Sequence, residues 1–167
     1  MTAKDPGAAY LDLAGKPVEI SFLAMEYYAL MFNRTFAVVV TRNSIQGAKM
    51  FGTVGSPRGG FSAAMWRDPR NFVDPKTRAK YEGVDPESPP FLSIHKDNFR
   101  IPCTQVREIR FSSRKKFSMG GIPHSGSLLV TTTDGKKREF ILLGQQDGPN
   151  IQSRLLALCP TASQAPS

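Results

Sequence analysis

A chain of 167 residues with 40% hydrophobic and 22% charged residues can bury a core without staples, which excludes a disordered chain and fits one elaborated globular domain. The formal charge of +8 is uneven: residues 1–90 carry 11 Lys and Arg against 9 Asp and Glu, residues 91–167 carry 11 against 5. The two cysteines, Cys103 and Cys159, form no Cys/His cluster, so two small buried thiols are expected rather than a zinc site or a disulfide.

Residues 1–16 are small, polar and broken by Gly and Pro, and read as a flexible arm from which Tyr10, Leu11 and Leu13 can dock. No apolar signal core follows Met1, so a cytoplasmic protein is expected. The apolar stretch from Val18 to Val40 is interrupted by Glu19, Glu26, Asn33 and Arg34, which argues against a membrane span. Val18–Phe22 alternates as a short lead-in. A helix is expected over about 21–33, with Leu23, Tyr27, Leu30 and Met31 on one face and Ser21 as its cap.

Thr35–Thr41 is rich in β-branched and aromatic residues and predicts a strand. Arg42-Asn43 supplies a turn, with Asn43 able to take positive φ. Ser44–Val54 reads as the return strand, with Gly47 a candidate bulge. Residues 55–90 form an excursion with Phe61, Met65, Trp66, Phe72, Val73 and Tyr81, too many large apolar groups for a linker. It reads as a packed insert with helical turns at Phe61–Trp66 and Pro75–Tyr81, the second capped by Asp74.

Phe91–His95 and Phe99–Pro102 are expected to form a hairpin about Lys96-Asp97-Asn98. In Thr104–Phe111 the mixed spacing of Val106, Ile109 and Phe111 predicts a helical turn or bulge entering a strand. After a polar, basic bend and a Gly/Pro-rich loop, Ser127–Thr133 and Lys137–Leu143 flank Asp134-Gly135, the strongest hairpin signal in the chain. Asp147-Gly148-Pro149-Asn150 then opens an amphipathic helix with Ile151, Leu155 and Leu158 on one stripe. Pro160 stops it, and residues 159–167 are expected to be a disordered tail.

These elements add to a mainly β fold: a barrel or roll of about seven antiparallel strands, a C-terminal capping helix and an additional N-terminal helix, in one domain over 17–158. The order resembles the pleckstrin-homology-like superfold. The wording of Phe99-Arg100-Ile101-Pro102, Val106 with Ile109, and Leu128–Phe140 resembles bacterial PH-like and GRAM-like domains, best over 91–158. The resemblance implies a non-catalytic module that binds lipid head groups, peptides or protein partners. Phosphoinositide-binding members place a basic motif between their first two strands. On this reading that loop is Arg42-Asn43-Ser44, with one basic residue and Lys49 beyond it, so the motif is not matched.

The candidate anion- or partner-binding set is Arg107, Arg110, Arg114, Lys115 and Lys116 with Lys136, Lys137 and Arg138. Arginine forks and lysine ammoniums suit phosphate oxygens, and the two groups would form one patch if their loops met. Solvated strand ends outrank that patch. Phe61, Trp66, Phe72 and Tyr81 are candidates first for packing in the insert, second for a subunit contact, third for stacking on nucleic acid. No catalytic residue, cofactor or metal ligand is expected. His95 and His124 read as structural or surface groups, and no GxSxG or P-loop occurs. Glu26 is the one carboxylate inside an apolar segment, for which an exposed helix position beside Tyr27 outranks a general acid.

The expected function is non-catalytic binding or scaffolding that recognises a protein partner, a second copy of the chain or an anionic, phosphate-bearing surface such as a membrane, with nucleic acid ranked lower. The alternatives are a carrier of a small apolar ligand in a barrel cavity and, further down, an enzyme of unknown class.

Overall fold

The computed structural model describes residues 10, 11, 13, 18–29, 32–50 and 65–163. The expectations for most of the N-terminal arm, for 51–64 including Phe61, and for 164–167 lie outside the described residues. Seven antiparallel strands form one curled half-barrel: β1 Ile20–Tyr27, β2 Asn33–Val40, β3 Ser44–Lys49, β4 Phe99–Pro102, β5 Val106–Ser112, β6 His124–Thr132 and β7 Lys137–Leu143. Their order across the sheet is β4-β3-β2-β1-β7-β6-β5. A C-terminal helix, α3 (Gly148–Leu158), packs on β5 and β6.

Strand alternation divides the core into two layers. On the inner face Phe22, Ala24, Phe36, Val38, Ile45, Leu128, Val130 and Phe140 pack with Ile151 and Leu155 of α3. On the outer face Leu23, Met25, Ala37, Val39, Ala48 and Ile141 pack with Phe72, Tyr81 and Phe91 of the insert, and with Tyr10, Leu11 and Leu13. The insert includes 3-10 turns at Met65–Arg67 and Pro69–Phe72, then α1 (Pro75–Ala79) and α2 (Pro89–Ser93).

This two-sided burial corrects the expected helix over 21–33: residues 21–27 belong to β1 and Asn33 opens β2. A strand covered on both faces loses its polar alternation and reads as a continuous apolar run. Phe91–His95 is likewise not a strand. Pro89 and Pro90 occupy the first turn of α2, where their fixed φ fits and their missing N–H groups cost nothing. The total of seven strands stands, with β1 in place of 91–95.

Smaller corrections follow from single contacts. Gly47 stays in unbroken register opposite Val38 and makes no bulge. A Cβ there would meet the Phe99 ring at 1.9 Å, so close ring approach requires the glycine. Asn43 keeps negative φ, and the Thr41 Oγ1 accepts from the Asn43 and Ser44 N–H groups, each at 3.2 Å, to form the turn. Residues 159–163 are ordered: Ser163 N–H donates to Arg107 O, and Ser163 O accepts from Ile109 N–H, on the β5 edge. Other expectations are met. Asp74 caps α1, Asp147 caps α3, a 3-10 turn at Cys103–Gln105 leads into β5, and Gly135 turns the β6–β7 hairpin at φ 83°.

Two polar devices join distant parts. The Gln146 amide lies against β1 as a strand would, accepting from Leu23 N–H at 2.9 Å and donating to Leu23 O at 2.6 Å. On the outer side the Glu87 carboxylate accepts from Thr41, Ser44 and Gln46 of the β2–β3 region, and Arg100 donates to Pro86 O and Ser88 O. These bonds hold the insert to the sheet.

Candidate functional site: a cationic cleft at the open end

The same alternation that builds the inner core carries charged residues to its open end. Glu26 follows Ala24 on β1, Arg34 precedes Phe36 on β2, Lys49 ends β3, and Arg138 precedes Phe140 on β7, all on the inner face. Beneath them lies an aromatic floor. Phe99 packs edge-on to Phe36 with centroids 5.2 Å apart and stacks on Phe140 at 5.8 Å.

Three cations lie over this floor. The Arg138 guanidinium is 3.7 Å from the Phe99 centroid, that of Arg34 is 5.6 Å from Phe36 and 5.2 Å from Tyr28, and the Lys49 ammonium is 5.9 Å from Phe36. Two carboxylates face them. Glu26, 7% exposed, binds Arg34 Nε at 3.0 Å and Arg138 Nε at 3.3 Å, while Asp97 takes Arg34 Nη1 at 3.4 Å. The expectation of an exposed Glu26 is thereby corrected: the inward register of β1 buries it. The layer keeps an excess of one positive charge.

Burial pushes the Arg138 guanidinium down from its ordinary value, with Glu26 opposing and Arg34 adding to the fall. Burial also lowers Lys49. Arginine nevertheless stays charged at neutral pH. Arg138 Nη1 is buried and has no hydrogen-bond partner among the described residues. Such a donor is costly unless something accepts from it.

Above this layer opens a cleft of about 550 Å³, whose lining includes Tyr27, Tyr28, Arg100, Asp134, Lys136 and Lys137. Its lining holds five cationic and two anionic side chains. At the rim, Thr132 and Lys136 hold the Asp134 carboxyl down to about 2, so Asp134 offsets Lys136 across 3.0 Å. The exposed ring pair Tyr28 and Phe32, 6.0 Å apart, stands at the bend between β1 and β2.

Of the eight basic residues singled out from the sequence, Lys136, Lys137 and Arg138 line the cleft. Arg107 and Arg110 are exposed on β5, where Arg110 pairs with Glu108 at 2.9 Å. The bend with Arg114, Lys115 and Lys116 leaves the opposite end of the sheet. Ser127, paired with Ser112, lies four residues along β6 from Thr131, paired with Lys137, on the order of 13 Å. Lys115 donates to His124 O at 2.6 Å and Lys116 pairs with Glu139 at 2.6 Å. The two basic loops therefore do not form one patch.

Of the insert candidates, Phe72 and Tyr81 are buried in the outer layer and Trp66 is half-buried against Phe72, at 4.8 Å. These contacts are packing within the domain. His95 Nδ1 accepts from Asp97 N–H at 3.0 Å. His124 Nε2 accepts from Lys116 N–H at 3.3 Å, and Ser125 beside it bonds Gly144 O and Gln146 N–H instead. Neither histidine lines the cleft. Among the described residues, no cluster of three or more His, Cys, Asp and Glu could hold a metal ion, and no helix is long and apolar enough to cross a membrane.

Sequence reading passed over Arg34, Lys49 and Asp97 as site residues. The available signal was the period of two, which sets Arg34 in line with Phe36, Val38 and Val40. Because β1 precedes β2, Arg42-Asn43-Ser44 is not the loop between the first two strands; the sequence between Tyr27 and Asn33 carries no basic residue.

No family model matches this sequence, and no curated protein matches it. Among solved structures the chain is similar to the C-terminal domain of an unknown protein from Leishmania infantum, with a TM-score of 0.47 and 11% identity over 89% of each chain.

Proposed function

We propose that this half-barrel is a non-catalytic binding module of pleckstrin-homology-like type that takes a phosphate-bearing anion into its open end, as displayed on an anionic membrane surface. The observation that carries the reading is the cleft itself. Its cations outnumber its carboxylates, and Arg138 Nη1 is a buried donor without an acceptor among the described residues. A phosphate oxygen would satisfy that donor and balance the charge in one contact. Tyr28 and Phe32 stand at the same end, where rings with an apolar body suit the bilayer interface. The charged lining gives no support to an apolar-ligand carrier.

The test is sedimentation of the full chain with phosphatidylserine vesicles and with phosphatidylcholine vesicles, at low and high salt. Binding to the anionic vesicles alone, lost at high salt and weakened by Arg138→Gln, is expected. Absence of binding at low salt overturns the membrane reading and leaves a protein partner as the ligand to seek.

A further inference from the structure

Among the described residues the most exposed large apolar side chain is Phe117, whose ring lies wholly in water at 103% exposure. One such ring is ordinary on a protein surface, and only its setting gives it a meaning. Phe117 opens the 3-10 turn Phe117–Met119 between β5 and β6. The turn is pinned on both sides. Met119, 2% exposed, packs into the outer layer, while Lys116 N–H donates to His124 Nε2 at 3.3 Å and the Lys116 ammonium holds Glu139 at 2.6 Å. Within the turn, Met119 N–H donates to Lys116 O at 3.1 Å and Gly120 N–H to Phe117 O at 3.3 Å. A tip held by these bonds keeps its ring out of its own core.

The chain leaves β5 at the end of the sheet away from the cleft and then returns along the outer face. Lys116 reaches Glu139, the neighbour of Arg138, and the hydroxyl of Tyr27, the last residue of β1, donates to Ser118 O at 2.9 Å. Tyr27 lines the cleft, and Tyr28 after it is 57% exposed. A hydrogen bond thus joins the Phe117 turn to the wall of the cleft, one residue from the ring on one side and one residue from Tyr28 on the other. Arg114, Lys115 and Lys116 directly precede Phe117. Arg114 is exposed, and Lys115 donates to the uncharged His124 O at 2.6 Å. An apolar ring just past a run of cations matches a bilayer with anionic head groups: the ring enters the apolar boundary and the cations meet phosphate.

We infer that Phe117 is a membrane anchor of this module, the side chain that enters an anionic bilayer while the cleft takes a head group. The inference rests on the membrane reading of the cleft, and it adds a residue from another loop that the cleft reading does not need. Two contacts on one folded body act together, because once either is made the other becomes intramolecular.

The experiment uses the full chain with mixed phosphatidylserine and phosphatidylcholine vesicles and with phosphatidylcholine vesicles alone. Phe117→Trp places a reporter at the tip, and the unaltered chain, with Trp66 as its single tryptophan, is the reference. On the anionic vesicles the added emission should move to shorter wavelength and be quenched by lipids brominated in the acyl chain. Phe117→Ser should weaken sedimentation with those vesicles by about tenfold and leave the thermal midpoint of the free protein unchanged. Vesicle binding with unshifted, unquenched emission and undiminished affinity of Phe117→Ser overturns the anchor and leaves the cleft reading standing. Absence of vesicle binding by the unaltered chain overturns both. A concentration-dependent dimer that Phe117→Ser abolishes, with vesicle affinity unchanged, assigns the ring to a second copy of the chain and overturns the anchor.

Discussion

Glu87 and Glu26 are two carboxylates surrounded by donors, and they solve that situation in opposite ways. On the outer face, Glu87 receives two hydroxyls and an amide, all uncharged, from Thr41, Ser44 and Gln46, with Arg100 at 3.8 Å. On the inner face, Glu26 receives two guanidiniums at once, and one of their nitrogens has no acceptor among the described residues. In the first arrangement three neutral donors are used, while Arg100 Nε, 3.8 Å from the carboxylate, is buried without a hydrogen-bond partner among the described residues; its product is attachment of the insert. The second is open, with more donors than acceptors. Charge balance thus separates a structural junction from a candidate binding site: one guanidinium stands near Glu87, whereas Arg34 and Arg138 share Glu26.

The difference can be broken from either side. Glu26→Gln removes the countercharge from Arg34 and Arg138 and should cost about 2–4 kcal/mol in urea unfolding. The same change should tighten binding to anionic vesicles, because the cleft loses a negative charge. Loss of stability without that gain would show that the cleft charge does not govern binding. On the outer face the buried Tyr81 hydroxyl is shared between Lys49 O and Asn98 Oδ1, and burial pushes its pKa up to about 12. The neutral phenol is favoured in the folded chain, so its contribution is complete below about pH 10 and is lost as pH rises through about 12. Stability should fall by about 2–3 kcal/mol across that window, and Tyr81→Phe should flatten the fall.

Glu87→Gln keeps an acceptor oxygen and should cost only about 1–2 kcal/mol, with vesicle binding unchanged. Arg138→Gln should be the mildest for stability, under about 1 kcal/mol, since it removes a buried cation along with its unsatisfied donor. It should nevertheless weaken anion binding by about tenfold. An Arg138 variant that unfolds as readily as Glu26→Gln would erase the distinction between the two nodes.

Local chemistry was the legible part of the sequence. Asp134-Gly135, Asp147 with Pro149, and Asp74 with Pro75 each state their turn or cap within four residues, and all three form as written. Ser88-Pro89-Pro90 opens α2 by the same logic, against the β-like content of Phe91–His95. β1 was not legible for a different reason. The layer that covers its outward side draws on Tyr10, Leu11 and Leu13 before it and on Phe72, Tyr81 and Phe91 far after it, and no local window reveals that a second layer exists. The site inherited this blindness. Arg138 was visible on its hairpin, whereas Glu26, Arg34 and Lys49 become neighbours only through the pairing of β1 with β2 and β7 and of β2 with β3.

The meeting of β1 with β7 also sets the timing of folding. Ala24 pairs with Leu142 across 118 residues, and the Gln146 amide that extends this pairing to Leu23 comes later still in the chain. At a synthesis rate of about 5–20 residues per second, β1 waits roughly 6–24 s before its partner exists. During that interval an apolar strand has β2 on one side and an open edge on the other, which is the arrangement most prone to pairing with a neighbouring chain. The strand made first is completed last, and its slow closure through high contact order makes its edge the place where a chaperone would bind.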